Sequence, residues 1–164
     1  MATGEISVRA AVPADTSAVD ALLARTYPAL LKADYPPSIL VTVLPIISRA
    51  RPELMACGTY YLAEDETGAV VGAGGWTPRA GPVAQAEIRH VVTDQRHLRR
   101  GIARMVFDRI FEMAGAAGMQ GYHCLSTRTA VPFYRALGFR EMGGMDVTLR
   151  PGISFPAVEM LRDA

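Results

Sequence analysis

A β-branched run that ends in a basic loop and resumes as a helix at a glycine constrains this chain more than any other stretch. Glu87-Ile88-Arg89-His90-Val91-Val92-Thr93 has the composition of a strand, and a helical pattern opens at Ile102 directly after Leu98-Arg99-Arg100-Gly101. Such a helix start offers unpaired backbone N–H groups and the positive end of the helix dipole. Glycine there lets an oxygen approach the backbone closely, and Arg99, Arg100 and Arg104 raise the local positive potential. The segment therefore favours an anion, of the di- or polyphosphate kind, at the helix N-terminus. An ordinary strand–helix turn is the other reading of the spacing taken alone.

The rest of the chain supplies the frame for that turn. Ile6 to Arg9 alternates as a half-buried strand, and Pro13 with Asp15 marks a helix carrying Ala18, Val19, Leu22 and Leu23 on one face. From Tyr27 to Arg51 four prolines interrupt short apolar pieces, and the segment reads as irregular. Two apolar arms around Glu66-Thr67-Gly68 make a hairpin, with Gly72, Gly74 and Gly75 where a bulge or a close backbone approach is expected. A third strand runs from about 83 to 93. The helix after Gly101 shows Ile102, Met105, Val106, Ile110 and Met113 at helical spacing. A strand over 121–126, a short helix over 129–137 and two strands near 147–149 and 158–161 follow. The order βα-βββαβαββ implies an α+β fold, and 164 residues suit a single domain, 1–164.

Bulk properties exclude several classes. A formal net charge of +1 argues against nucleic-acid binding through bulk charge, and half the residues are hydrophobic, which argues against disorder. Cys57 and Cys124 form no metal-binding spacing and no disulfide framework, so no metal is expected. The N-terminus lacks a signal-peptide pattern, and Leu40 to Ile47 is too short and proline-broken to span a bilayer. The expected setting is soluble, reducing and cytoplasmic, with no membrane partner.

Two segments carry a family resemblance. Leu98-Arg99-Arg100-Gly101-Ile102-Ala103 resembles the acetyl-CoA loop of the GNAT superfamily of N-acetyltransferases, Gln/Arg-x-x-Gly-x-Gly/Ala, with Leu98 departing at the first position. Downstream, Thr127 to Phe139 is similar to the family's Asn-x-x-Ala-x-x-x-Tyr-x-x-x-Gly-Phe signature, with Thr127 at the asparagine position. The resemblance spans roughly residues 5 to 150. It implies a mixed, mostly antiparallel central sheet with helices on both faces, splayed in the middle to admit the cofactor. It also implies acetyl-CoA as co-substrate and an amine acceptor, either a small molecule or a peptide amine. A homodimer built through the terminal strands after Pro151 is a further implication.

Candidate residues follow from the chemistry of acetyl transfer. Presenting a lysine-like amine in its neutral form at pH 7 costs about 4 to 5 kcal/mol, so a general base is needed. Glu87 stands fourteen residues before Gly101, as does the base glutamate of the family's histone-acetylating branch. A strand glutamate facing solvent beside Arg89 is the alternative. His90, three residues on, should face the opposite side unless a bulge intervenes, and is the weaker candidate. His123 and Cys124 should face apart, which disfavours a nucleophile–base pair. By resemblance Tyr134 is the general acid that protonates the departing thiolate, a role a phenol of pKa about 10 suits. By the same resemblance Val91, Val92 and Thr93 offer backbone groups to the pantetheine arm and the thioester carbonyl. Arg99, Arg100, Gly101, Ile102, Ala103 and Arg104 surround the phosphates, and Thr127 sits near the cofactor. Tyr27, Tyr35 and Trp76 are candidate walls of the acceptor site. The expected activity is N-acetyl transfer by direct attack in a ternary complex. The alternative is a non-catalytic acyl-CoA-binding or regulatory module of the same fold.

Overall fold

The computed structural model describes residues 4–97 and 101–164. Leu98, Arg99 and Arg100 lie outside the described residues. The first part of the chain runs β1 (Ser7–Ala10), α1 (Thr16–Leu31), α2 (Pro37–Ile47), α3 (Pro52–Ala56), β2 (Tyr60–Glu64), β3 (Val70–Arg79) and β4 (Gln85–Thr93). It continues α4 (Ile102–Ala116), β5 (Gly121–Ser126), α5 (Val131–Ala136), β6 (Arg140–Arg150) and β7 (Ile153–Asp163). The seven strands form one sheet in the order β1-β2-β3-β4-β5-β7-β6. Neighbours are antiparallel except β4 and β5, which flank the α4 crossover and run parallel. Helices cover both faces, as the α+β reading expects. On one face Tyr60, Leu62, Ala73, Val92 and Phe155 pack against α1 and α2. On the other, Tyr61, Trp76, Ile88, Cys124 and Met160 pack against α4 and α5.

Most of the segment 27–51 is helical where the sequence reading has it irregular. α1 continues through Pro28 to Leu31, and α2 begins with Pro37 in its first turn, where a missing N–H costs nothing. Leu40 and Val43 are buried, and Leu44 and Ile47 pack beside them, so the i, i+3, i+4, i+7 stripe prevails over Pro45. Two smaller corrections concern helix faces. Ala18 and Met113 are exposed, while Phe107 and Ala114 take the buried positions on α4.

Two local features open the sheet at its centre. β4 and β5 pair only where Gln85–Glu87 meets Gly121–His123, so from Ile88 onward the β5-facing edge of β4 has no strand partner. Against β3, Gly75 is opposite Arg89 and Ala73 is opposite Val92, so β4 carries one extra residue, a bulge that bends the strand. His90 lies in that bulge with φ +51°, a left-handed conformation uncommon for any residue other than glycine. It is held by the Tyr60 hydroxyl, which donates to the His90 carbonyl at 2.7 Å, and by a ring contact to the Ile47 carbonyl at 2.8 Å. Gly75 makes the close approach possible: a Cβ there would stand 2.4 Å from the Thr59 carbonyl oxygen and 2.6 Å from Tyr60 Cα. Both are backbone atoms, so Gly75→Ala is expected to destabilise the fold by about 2–3 kcal/mol in a urea titration.

Candidate active site

A cleft follows the divergence of β4 from β5. Its first section, 320 Å³, is lined by Val91, Val92, Thr93, Ala103, Thr127 and Phe133 among others, at the α4 end. The second, 190 Å³, holds Tyr134, Cys124 and Ser126, and shares Tyr27, Val91, Thr127 and Ala130 with the first. The third, also 190 Å³, holds Glu87, Arg89 and Leu54, and shares Arg51, Ile88, His90 and Leu125 with the second. Five of the residues expected around the cofactor, Val91, Val92, Thr93, Ala103 and Thr127, therefore line one section, and the two expected to carry chemistry lie further along.

At the α4 end, Gly101 takes a left-handed φ of +73° as the residue before the helix, so its glycine identity is a conformational requirement. Arg104 is exposed, and the Ile102 side chain is buried in the core, which leaves only its backbone for a ligand. The expected Arg99 and Arg100 contacts lie outside the described residues. Thr127 Oγ1 accepts the Ala130 N–H at 3.2 Å, so the hydroxyl holds the turn into α5. Behind the loop, the Asp94 carboxylate is wholly buried and accepts from Arg96 and Arg25, at 2.9 Å each. Hydrogen bonds from Arg96 above all, then from Arg25, hold its carboxyl well below the usual range. Asp94→Ala strands Arg25 and is expected to cost about 2 kcal/mol in denaturant at pH 7. Because the folded carboxyl titrates low, this stabilisation is complete above pH about 4 and declines as the pH falls below it.

Tyr134 projects from α5 among Phe107, Phe133 and Phe139, each edge-on to its ring at 5.2 to 5.6 Å. Its hydroxyl makes no hydrogen bond among the described residues and borders the middle section of the cleft. Burial, reinforced by Cys124, Tyr27 and Glu87, pushes the phenol well above its ordinary value, so it is a protonated donor at neutral pH. Burial also pushes the neighbouring Cys124 thiol far up, with a further push from Glu87, which leaves no thiolate for nucleophilic attack.

Glu87 faces the α1–α2 side of the sheet at the β4–β5 junction. One carboxylate oxygen, Oε2, meets His123 Nδ1, and the other makes no hydrogen bond among the described residues. Burial raises the carboxyl above its ordinary value, against the opposing pull of His123 and the Arg79 and Arg89 charges. His123 sits directly opposite Glu87 in the parallel register, and its Nε2 is 2.8 Å from Glu159 Oε2 on β7. A neutral imidazole has one N–H, so satisfying both carboxylates requires a second proton within the Glu87–His123–Glu159 group.

The bulge overrides the alternation that would place His90 opposite Glu87: both line the third section. His90 is kept neutral by burial first, and by Arg51 and Arg89. Its Nε2 must donate, because the Ile47 carbonyl can only accept. Of the expected wall residues only Tyr27 lines the cleft, where its hydroxyl donates to the Val91 carbonyl at 3.3 Å. Tyr35 donates instead to the Pro156 carbonyl, and Trp76 is buried on the opposite face against α4. Sequence reading assigned no site role to His123, weighed only as a partner of Cys124, to Arg89, weighed only as a charge beside Glu87, or to Glu159 and Arg51. The strand–helix–strand unit around α4 carried a signal for the first, since a parallel crossover sets β4 beside β5.

Among the described residues no helix is long and apolar enough to cross a membrane, and no cluster of His, Cys, Asp and Glu could hold a metal. No curated protein matches the sequence. Solved structures do match in fold. A GCN5-related N-acetyltransferase from Rhodopseudomonas palustris superposes with a TM-score of 0.73 at 16% identity, covering 100% of this chain and 98% of that one. The PaiA N-acetyltransferase from Thermoplasma acidophilum, solved with coenzyme A, gives 0.73 at 12% identity over 98% and 99% of the two chains. A GCN5-related N-acetyltransferase from Kribbella flavida gives 0.66 at 21% identity over 97% and 98%. Residues 56–141, just over half the chain and the part that builds the bulge, the α4 loop and Tyr134, match the acetyltransferase (GNAT) domain. The chain belongs to the GNAT family of acetyltransferases.

Proposed function

We propose that the protein transfers the acetyl group of acetyl-CoA to an amine by direct attack within a ternary complex. The observation that carries this reading is the order of groups along one cleft. An unpartnered strand edge over 88–93 leads to the free hydroxyl of Tyr134 and then to the half-buried Glu87 carboxylate. The PaiA relative was solved with coenzyme A, which supports the same use of the cleft here. In this reading the phosphates rest against the start of α4, at Arg99, Arg100, Gly101, Ile102, Ala103 and Arg104, and the pantetheine arm adds to the β4 edge beside Val91, Val92 and Thr93.

The acceptor enters from the Glu87 end. Glu87 takes a proton from the ammonium, and the neutral nitrogen attacks the thioester carbon. The new C–N bond pushes the carbonyl electrons onto oxygen, where backbone N–H groups of β4 stabilise the charge. Collapse breaks the C–S bond as Tyr134 gives its proton to the departing sulfur; the attacking nitrogen's surplus proton restores the Tyr134 phenol, and the proton taken by Glu87 leaves to solvent, so the products are the neutral amide and free thiol. His123 and Glu159 position Glu87 from behind. The reading is tested by following release of free coenzyme A thiol with a panel of primary amines. Amine-dependent release is the expected result. Acetyl-CoA binding with no release for any amine would favour the non-catalytic acyl-CoA module.

A further inference from the structure

We infer that the acceptor amine carries a carboxylate, bound by Arg51 and Arg89 at the end of the cleft remote from α4. This rests on the transferase reading above and names the class of its second substrate. Arg51 is the residue before α3 and Arg89 lies on β4, yet both border the 190 Å³ section that contains Glu87. Neither guanidinium has a close carboxylate partner, although the Arg89 charge acts on Glu87 from a distance. Arg89 Nη1 donates to the neutral Thr77 hydroxyl at 3.2 Å. Arg51 has Glu53 at 3.9 Å, with both side chains about half exposed or more, a geometry too long and too wet to neutralise it. Glu87, the carboxylate lining this section, is already engaged by His123, with Arg79 at 3.9 Å. His90, kept neutral first by burial, adds no third cation to the section.

Two weakly compensated guanidinium groups beside a base repel a polycationic acceptor and attract one whose own anion offsets its ammonium. A carboxylate matches the planar guanidinium fork. Leu54, Ile88 and Leu125 supply apolar surface between these ends. The class is thus a small aliphatic or aromatic amine with a carboxylate a few bonds from the nitrogen.

The experiment compares matched pairs as acceptors, leucine with 3-methylbutylamine and phenylalanine with 2-phenylethylamine. In parallel, N-acetylleucine is titrated calorimetrically into the protein with coenzyme A present. The expected result is a kcat/KM at least about tenfold higher for the carboxylate member of each pair. R51Q/R89Q is expected to erase that preference and weaken N-acetylleucine binding, while acetyl-CoA affinity and the melting temperature stay at parental values. Turnover of both members without preference overturns the inference and leaves the transferase reading intact. No turnover with any amine, but N-acetylleucine binding that depends on Arg51 and Arg89, overturns the transferase reading and leaves the carboxylate site intact. Neither turnover nor binding overturns both.

Discussion

Tyr134→Phe is expected to lower kcat by about 10²- to 10³-fold and to leave acetyl-CoA affinity unchanged. The separation of these effects follows from where the hydroxyl stands. Its ring is fixed by Phe107, Phe133 and Phe139, which a phenylalanine replaces without a cavity, so the fold and the cofactor surface persist. The hydroxyl itself makes no hydrogen bond among the described residues, so its loss strands no buried partner, and the cost in stability is below about 1 kcal/mol. What would disappear is a protonated donor beside Cys124 that, unlike the Ser126 and Tyr27 hydroxyls, is not committed to a carbonyl among the described residues, and with it, on the proposed mechanism, the protonation of the leaving thiolate. Steady-state kinetics paired with a binding titration separates the two quantities. Unchanged turnover would remove Tyr134 from the chemistry.

Glu87→Gln is expected to produce the second large effect, with a size that depends on pH. At neutral pH the acceptor is an ammonium, and loss of the base costs about 10²- to 10⁴-fold in kcat/KM. As the pH approaches the amine pKa of about 10.4, the acceptor becomes neutral without help and the variant converges on the parent. On the proposed mechanism the parent's rate is also expected to fall on acidification once Glu87 takes up a proton. Burial raises that carboxyl, so the acid limb begins above the ordinary glutamate range. Glutamine keeps the length and a carbonyl acceptor for His123, which separates loss of the base from loss of packing. Profiles of log kcat/KM against pH that overlay would make Glu87 a structural residue.

Legibility of the fold followed the kind of information each element needs. The hairpin around Glu66-Thr67-Gly68, the α4 stripe and the Gly101 helix start depend on neighbours a few residues away, and sequence reading located them. The α2 helix was hidden because prolines at 37 and 45 read as breaks, although one sits in the first turn and the apolar stripe outweighs the other. The bulge was legible only in part: Gly72, Gly74 and Gly75 marked its place on β3, but nothing local put the extra residue on β4 at His90. A left-handed histidine has no local signal, since Tyr60 and Ile47 hold it from across the sheet.

The site divides the same way. Tyr134 and the α4 loop are contiguous motifs and could be read directly. The Glu87–His123–Glu159 group joins three strands, and Arg51 meets Arg89 only after α3 docks beside β4, so their meeting is a product of tertiary packing. Two arginines thirty-eight positions apart do not form a cluster in sequence.

The most direct test of the account is a calorimetric titration of the purified protein with acetyl-CoA, repeated with dephospho-CoA and with Arg99→Ala. Saturable one-to-one binding in the micromolar range, weakened by about tenfold or more in the variant, is the result the account requires. A titration that stays featureless at millimolar acetyl-CoA would contradict it, because the cleft between β4 and β5 would then not be a cofactor site.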